Sequence, residues 1–274
     1  MCFSVYVVVK VCLIVVDSLR FDVAYRLANI VMDVAWNFKF YECWSLANTT
    51  EPSLATLLTG LRPEEHGIVR TGMPNAEKLL DRVRGRLLTN YFKCSLIASP
   101  AVIFHKYFTY SYVAKYVEEI VLIAKNYIDK CDFMLLHIMD VHDLIDRGWG
   151  VKWYFGYEPI PKHVLEWKPP SGLPRPYETE FRVGDAGLLK AKYYGAVERV
   201  FTTLRDLLTQ LVSKDYTILL TSDHGESFNF WHHDGVYEED VFKVPLITNV
   251  EFSKAKVNHL DIYKKIVELA VSQS

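Results

Sequence analysis

The chain has 274 residues, of which 50% are hydrophobic, 23% are charged and 14% are aromatic. This apolar content excludes a disordered linker or tail, because enough apolar surface is available to offset the conformational entropy that folding costs. The 31 basic and 33 acidic residues nearly balance, so the net charge of −2 excludes the strongly basic surface that is typical of nucleic-acid-binding proteins.

The first predicted element is a buried strand that ends at Val16. Residues 5–16 contain seven valines and one isoleucine, and β-branched residues favour buried strands. A secretory signal or anchor fits less well, because Lys10 interrupts the run and neither a basic segment nor an A-x-A cleavage site flanks it. The run is also shorter than the roughly 20 apolar residues that cross a bilayer. No other stretch is long enough, so we expect no membrane span.

Strand and helix patterns alternate along the rest of the chain. Further strands are predicted at residues 94–98, 133–137, 217–221 and 244–248. Helices are predicted at residues 21–34, 53–61, 76–88, 112–129, 186–214 and 260–270. This alternation predicts an α/β fold with a central, largely parallel sheet flanked by helices.

The segment 144–183 breaks the alternation. It contains three tryptophans and six prolines and has no regular periodicity. Long irregular segments of this kind are often functional lids. A packed insertion held in place by its aromatic residues explains the pattern equally well, and both interpretations stay open.

The chain has five cysteines, an odd number without regular spacing. This arrangement argues against a disulfide framework and against a CxxC metal site. Most of them lie in apolar runs, which predicts buried thiols in a reducing compartment and hence a cytoplasmic protein. The five are Cys2, Cys12, Cys43, Cys94 and Cys131.

Acidic and histidine side chains follow three of the predicted strands. They are Asp17 after the first strand; His137, Asp140 and His142 in and after strand 133–137; and Asp223, His224 and Glu226 after strand 217–221, with His232 and His233 shortly beyond. Ligands of open α/β sheets bind beyond the carboxyl ends of the strands. Carboxylates combined with imidazoles suit Zn²⁺ or Mn²⁺, so a divalent metal site is expected there. His137 lies inside its apolar run and is expected to be a core histidine.

A fourth element is the run Thr50-Glu51-Pro52-Ser53, in which the proline predicts the start of a helix. A hydroxyl at a helix N-terminus lies where backbone N–H groups and the helix dipole stabilise an anion. A metal beside Thr50 would lower the pKa of its hydroxyl and make it a nucleophile. Together these parts predict metal-assisted attack on a phosphoryl or sulfuryl centre.

Four segments of the sequence resemble, in order, the motifs of the alkaline phosphatase superfamily on its sulfatase-like branch. The segments are LIVVDSLRFD, TEPSLATLLTGLRPEEHGI, YYGAVERVFTTLRDLLTQL and TSDHGESFNFWHHDGVYEEDVFKVPLI. The second resembles the nucleophile signature C-x-P-S-R-A-x-L-L-T-G followed by H-G, and the fourth resembles the D-H-G-E metal motif. The resemblance implies that Asp17, Asp223 and His224 bind a metal and that Thr50 is the nucleophile and also contacts it.

Other residues have less definite roles in this resemblance. His142 and one of His232 or His233 would bind anionic oxygens of the substrate, protonate the leaving group or hold a second metal. Asp140 would either join such a second site or support it. The spacing to the following tyrosine does not decide between His232 and His233.

Departures from the sulfatase pattern change the expected chemistry. Thr50 stands where a sulfatase has the Cys or Ser that is converted to formylglycine, and Leu54 replaces the signature arginine. Ser18 replaces the second aspartate of a sulfatase D-D pair. A threonine nucleophile resembles those of the phosphodiesterases, phosphonate hydrolases and phosphoethanolamine transferases of the superfamily. Position 138 is Ile, so the Asp that would pair with His142 in a second metal site is missing.

We therefore expect one catalytic domain over residues 1–274, since ligands from Asp17 to His233 must converge on one site, with a reduced C-terminal subdomain. The expected activity is metal-dependent hydrolysis of a phosphate mono- or diester, or of a phosphonate or sulfate ester, through a covalent Thr50 intermediate. Two alternatives are a phospho-group transferase and a non-catalytic anion-binding relative. The expected partner is a small anionic ester.

Overall fold

A computed structural model of the chain describes residues 9–142, 186–229 and 233–272. Its eight strands form one sheet in the order β4-β3-β5-β1-β6-β7-β2-β8. The strands are β1 (Lys10–Val16), β2 (Lys39–Trp44), β3 (Ser95–Ala98), β4 (Tyr110–Tyr112), β5 (Phe133–Ile138), β6 (Tyr216–Thr221), β7 (Lys243–Thr248) and β8 (Lys256–Asn258). The helices are α1 (Phe21–Leu27), α2 (Asn29–Met32), α3 (Thr50–Thr59), α4 (Pro63–His66), α5 (Ala76–Val83), α6 (Val117–Lys125), α7 (Ala186–Ser213), α8 (Glu239–Phe242) and α9 (His259–Val271).

The sheet is largely parallel, as the sequence predicts. Strand β7 pairs antiparallel with both β6 and β2. The other pairings of the described strands are parallel. The carboxyl ends of β1, β5 and β6, three neighbouring parallel strands, therefore lie at one edge of the sheet.

Helices cover both faces of the sheet, and the side chains of β1 alternate between the two layers of the core. Cys12, Ile14 and Val16 pack in the cluster that includes residues of α1, α6 and α7. Val11, Leu13 and Val15 pack in the opposite cluster, with residues of α3, α5 and α9. Because β1 is buried on both faces, its sequence is a continuous hydrophobic run instead of an alternating one.

Three strands were not predicted, and each lies towards an edge of the sheet. β2 contains charged residues because its Glu42 carboxylate forms ion pairs with Lys243 of β7 and Lys256 of β8, across both neighbouring strands. β8 is a three-residue strand at one edge. β4 is the strand at the other edge. The prediction that a helix begins at residue 112 was wrong, because Tyr112 belongs to β4 and pairs with Ala98 of β3.

Helix boundaries differ from the predicted ones where a side chain or a glycine sets the end. Helix α6 begins at Val117, whose N–H donates to Asp140 Oδ2 over 2.7 Å. Helix α3 begins at Thr50, three residues before the predicted start, and ends at Gly60. Gly60 has φ 65°, a left-handed conformation that glycine adopts at a helix C-terminus without strain.

Two of the sequence predictions lie outside the described residues. They concern the aromatic and proline-rich segment 144–183 and His232. In the described ranges, no helix combines the length and the apolar character that a bilayer crossing requires.

Candidate active site

The register of the sheet brings two aspartates to the same level. Val15 of β1 is paired with His137 of β5 and with Thr221 of β6. Two residues further along, Asp17 and Asp223 leave neighbouring strand ends on the same face of the sheet. This is the face on which α3 packs, so the N-terminus of α3 approaches the two carboxylates.

Asp17, Asp223 and His224 form a buried group with the geometry of a metal site, called here the ligand cluster. One oxygen or nitrogen atom from each lies within 4.8 Å of the others, and all three side chains are fully buried. His224 Nδ1 donates to the carbonyl oxygen of Gly225 over 2.9 Å, which leaves the lone pair on Nε2. The Nε2 atom lies 3.2 Å from Asp223 Oδ2 and 3.8 Å from Asp17 Oδ1.

Within the part of the chain that the structure describes, neither His224 Nε2 nor Asp223 Oδ2 has a hydrogen-bond partner, although both atoms are buried. Two acceptors that face each other are costly in a protein interior unless a proton or a cation lies between them. A divalent cation between them would remove this cost. Two carboxylates and an imidazole are ligands that Zn²⁺ and Mn²⁺ both accept, so the residues fit the metal that the sequence predicts.

The electrostatics of the ligand cluster lead to the same conclusion. Burial and the nearby negative charge of Asp17 raise the pKa of Asp223 to about 8. Burial opposes ionisation of Asp17 too, but His142 and the hydrogen bond from His137 hold its pKa well below the usual range. Burial also lowers the pKa of His224. Without a cation, the two carboxylates do not both ionise readily, which is typical of a cation-binding pair.

Thr50 is the first residue of α3 and contacts the ligand cluster directly. Its Oγ1 donates to Asp17 Oδ2 over 3.1 Å. The side chain is only partly buried, whereas the cluster behind it is fully buried. Thr50 is therefore the more accessible side chain beside the buried ligand cluster. Leu54, one turn further along α3, is fully buried in the core and contributes no polar group.

His137 contributes more to the site than the sequence indicates. It is buried, as expected for a core histidine, but its Nε2 lies 3.1 Å from Asp17 Oδ2 and its Nδ1 lies 3.0 Å from Ser99 Oγ. A carboxylate accepts hydrogen bonds, so His137 donates through Nε2 and accepts from Ser99 through Nδ1. The parity of β5 could have revealed this contact, because His137 lies on the same face of the sheet as Val15 and Asp17.

We predict that His137→Ala weakens divalent metal binding by about 10- to 100-fold, because the Asp17 carboxylate loses the donor that orients it. Isothermal titration of the metal-free protein with Zn²⁺ and Mn²⁺ measures the dissociation constants. His105→Ala is the matched control, since His105 contacts the carbonyl oxygen of Ser99 but not Asp17. Equal affinity in His137→Ala and the control would contradict this positioning role.

His233 lies beside the ligand cluster. Its ring centroid is 4.0 Å from that of His224 and 5.4 Å from that of His142. Its Nδ1 donates to Glu226 Oε2 over 3.1 Å, so Glu226 orients the His233 ring. Burial, followed by the charges of His224 and His142, lowers the pKa of His233 well below its ordinary value. The structure thus places His233 and His142 next to the cluster, while His232 lies outside the described residues.

Asp140 does not reach the ligand cluster, which corrects its candidacy for a second metal site. Its Oδ2 accepts from the N–H of Val117, and its Oδ1 forms an ion pair with Arg199 of α7. Both oxygens are therefore used to hold α6 and α7 against the end of β5. Among the described residues, the single group of three or more side chains with metal-ligand geometry is Asp17, Asp223 and His224.

Residues that the sequence analysis missed hold the strand ends in place. Ser18 has φ 59°, a left-handed conformation that is uncommon for a residue with a side chain. Its N–H donates to Asp223 Oδ1 over 3.2 Å, and its carbonyl oxygen accepts from the hydroxyl of Tyr193 on α7. Tyr193 also accepts from the N–H of Arg20 over 2.8 Å. These bonds hold Asp17 and Asp223 in register beyond the last paired residues of β1 and β6.

Close packing of the backbone explains why the D-H-G-E motif has a glycine, Gly225, after its histidine. A Cβ at this position would lie 1.9 Å from the carbonyl oxygen of Asp240. The N–H of Gly225 donates to the carbonyl oxygen of Val241 over 2.7 Å, so the two backbones are in direct contact. Since His224 precedes Gly225, this close approach fixes the segment that carries the imidazole ligand.

Comparison with known proteins supports the fold and the family. A family model described as Sulfatase matches residues 81–272, a range that includes Asp223 and His224 but not Asp17 or Thr50. No curated protein matches the sequence.

Three solved structures illustrate the similarity in fold. A 2-O GAG sulfatase is 14% identical, with a TM-score of 0.62, and the match covers 95% of this chain and 70% of that one. A phosphonate monoester hydrolase from Silicibacter pomeroyi is 15% identical, with a TM-score of 0.60 and coverage of 96% and 73%. The lipoteichoic acid synthase LtaP from Listeria monocytogenes is 12% identical, with a TM-score of 0.53 and coverage of 98% and 73%.

Proposed function

Since the chain belongs to the sulfatase family, we propose that it is a metal-dependent hydrolase that cleaves a phosphate mono- or diester through a covalent intermediate on Thr50. The observation that carries this proposal is the contact between Thr50 Oγ1 and Asp17 Oδ2, beside the unpaired atoms of Asp223 and His224. A hydroxyl next to a cation-binding pair is the arrangement of an activated nucleophile.

The side chain at position 50 favours phosphorus over sulfur. The sulfatase signature has at this position a Cys or Ser that is converted to formylglycine, and a threonine is not converted in this way. Leu54 is buried and apolar where the signature has an arginine. A threonine hydroxyl can attack phosphorus directly, so a phosphate ester is the proposed substrate. A phosphonate ester has the same charge and geometry and belongs to the same substrate class.

The residues of the chain have separate roles in this proposal. Asp17, Asp223 and His224 hold a divalent metal, Zn²⁺ or Mn²⁺, which when bound lowers the pKa of a neighbouring hydroxyl and neutralises negative charge on the substrate. The Asp17 carboxylate accepts the hydrogen bond that orients Thr50 Oγ1. The N-terminus of α3 favours negative charge at Thr50.

His233 and His142 are the proposed proton-transfer groups. Because His233 donates through Nδ1 to Glu226, its Nε2 is the atom that accepts a proton from water or returns one to a leaving oxygen. The ring of His142 lies 5.4 Å from that of His233, measured between centroids. Either histidine supplies the general base that releases the phosphoryl group from Thr50.

A transferase is the second candidate. A phosphoryl-threonine intermediate reacts with an alcohol as readily as with water if an acceptor is positioned, and the fold is similar to that of a lipoteichoic acid synthase. Hydrolysis is the first candidate, because it needs only water as the acceptor, whereas transfer needs a positioned alcohol. A purely anion-binding role is disfavoured, because the three residues of the ligand cluster and Thr50 are all present.

The other parts of the proposal concern the setting of the site. We propose that residues 1–274 form one catalytic domain, since the described strands share one sheet. The proposed partner is a small anionic ester. A cytoplasmic location and a specificity role for residues 144–183 remain predictions.

The experiment is a panel of p-nitrophenyl esters assayed with metal-free protein and with Zn²⁺, Mn²⁺ or Mg²⁺. The panel contains the phosphate monoester, the phosphate diester, a phenylphosphonate monoester and the sulfate. We expect metal-dependent turnover of a phosphate or phosphonate ester and slower turnover of the sulfate. Added glycerol tests transfer: glycerol phosphate as the main product would favour the transferase. Preferred turnover of the sulfate would contradict the proposal.

A further inference from the structure

Two cysteines meet at the edge of the sheet opposite to the active site. Cys94 directly precedes β3 and Cys131 lies two residues before β5, which pairs with β3. Their sulfur atoms are 3.0 Å apart. The carbonyl oxygen of Cys94 accepts from the N–H groups of Asp132 and Phe133, over 3.0 and 3.1 Å. The two backbones are thus held side by side where the sulfurs meet.

We propose that Cys94 and Cys131 are a modification site, at which a low-molecular-weight disulfide oxidises the two thiols to a disulfide bond between the amino ends of β3 and β5. A disulfide has an S–S length of about 2.05 Å and joins Cα atoms roughly 4.4–6.8 Å apart. Adjacent strands of a sheet are about 4.8 Å apart, within this range. The sulfurs need to approach by about 1 Å, which small changes in the two side-chain torsions provide.

The exposures of the two thiols define the order of the reaction. Cys94 is partly exposed, whereas Cys131 is only 1% exposed. The Cys94 thiolate attacks a sulfur of oxidised glutathione, forming a mixed disulfide and releasing one glutathione thiolate. The Cys131 thiolate then attacks Cys94 Sγ and releases the second. Two protein thiols are oxidised, one glutathione disulfide is reduced to two glutathione thiols, and the two protons leave with them.

The other described cysteines lack this geometry. Cys12 and Cys43 are fully buried in β1 and β2. Burial raises the pKa of both thiols, as it does that of Cys131, so the contact between two sulfurs and not the pKa distinguishes the pair. The two sulfurs of Cys94 and Cys131 are therefore the pair that a disulfide reagent reaches within the described residues.

The position of the bond separates its effect from catalysis. It closes residues 94–131 into a loop and ties β3 to β5 at their amino ends, whereas Asp17, Asp223 and Thr50 lie at the carboxyl ends of the strands. A native disulfide stabilises mainly by restricting the unfolded chain. We therefore expect the oxidised protein to unfold at a higher temperature, by about 5–10 °C, with unchanged metal binding.

The experiment incubates the full chain in glutathione buffers from fully reduced to fully oxidised, blocks free thiols with iodoacetamide and digests with trypsin. Lys93 and Lys130 directly precede the two cysteines, so trypsin places each at the start of its own peptide, 94–106 and 131–147. We expect these peptides to be joined in the oxidised sample only. Thermal unfolding of both samples measures the change in melting temperature.

Cys94→Ser is the test variant and Cys2→Ser the matched control. The proposal requires that Cys94→Ser loses both the linked peptide and the temperature shift, while Cys2→Ser retains both. Recovery of both peptides alkylated and separate from the oxidised wild type would overturn the proposal. A bond that forms but lowers the melting temperature would also overturn it, since such a bond would not fit the native strands.

Discussion

Thr50→Ala is expected to abolish hydrolysis of phosphate esters, with kcat falling by about 10³-fold or more, because the variant removes the atom that attacks phosphorus. Thr50 Oγ1 is bonded to Asp17 and adjoins the ligand cluster, and alanine leaves no oxygen in that position. Thr50→Ser keeps an oxygen there and is expected to retain measurable turnover. Steady-state kinetics with the preferred ester of the panel measures both effects.

Three further measurements separate a nucleophile from a structural residue. Thr59→Ala makes the same substitution at the other end of α3, where the hydroxyl donates to the carbonyl oxygen of Ala55 and accepts from the N–H of Leu61, and should retain most of the activity. Acid-quenched wild-type protein should carry a phosphoryl group on the tryptic peptide 40–70, at Thr50 and not at Thr49. Thr50→Ala should still bind Zn²⁺ or Mn²⁺ through the ligand cluster. Retained turnover in Thr50→Ala would refute the covalent intermediate.

The centre of the fold could be predicted because it is determined by local patterns. β1, β5 and β6 are continuous apolar runs that only a strand buried on both faces explains. The edge strands could not be predicted in this way. β2 carries Glu42, whose charge is neutralised by Lys243 and Lys256 of the two neighbouring strands. Both lysines lie more than 200 residues from Glu42 in the sequence. β4 has three exposed tyrosine and serine positions, whose pairing with β3 depends on tertiary context.

The site was predictable to the extent that its residues follow strand ends. Asp17, Asp223 and His224 each come directly after a buried run, and the parallel register brings them together. His137 and Asp140 were less predictable, because their partners come from elsewhere in the chain. His137 contacts Asp17 across β1 and β5, and Asp140 is held by Val117 and Arg199. Which partner a buried polar group finds is decided by packing, which a single sequence does not specify.

The cysteine pair changes the basis of one sequence prediction. The sequence predicts a reducing, cytoplasmic setting because most of its cysteines lie in apolar runs and their spacing argues against a disulfide framework. Cys94 and Cys131 are distant in sequence, yet the pairing of β3 with β5 brings their sulfurs into contact. Spacing along the chain is therefore not evidence that these thiols are unpaired. The redox state of Cys94 and Cys131 in the cell therefore tests the prediction of a cytoplasmic location.

Asp223→Asn is expected to have opposite effects on the metal-free and the metal-loaded protein. Asparagine keeps the shape of the side chain but removes one of two adjacent buried carboxyl groups, the one whose ionisation is opposed by burial and by the charge of Asp17. The metal-free variant should therefore unfold at the same temperature as the wild type or a higher one, because the repulsion between Asp17 and Asp223 is gone. Saturating Zn²⁺ or Mn²⁺ should raise the melting temperature of the wild type but not that of the variant.

Asp140→Asn is the matched control, since Asp140 is also a buried aspartate at the carboxyl edge of the sheet. It loses an ion pair with Arg199, so the variant should be less stable without metal. Its melting temperature should still rise on addition of metal, because the ligand cluster is intact. The two variants thus differ both in stability without metal and in the response to metal, which general damage to the fold does not produce. A metal-induced rise in Asp223→Asn equal to that of the wild type would remove Asp223 from the metal site, and the unpaired atoms of Asp223 and His224 would need another explanation.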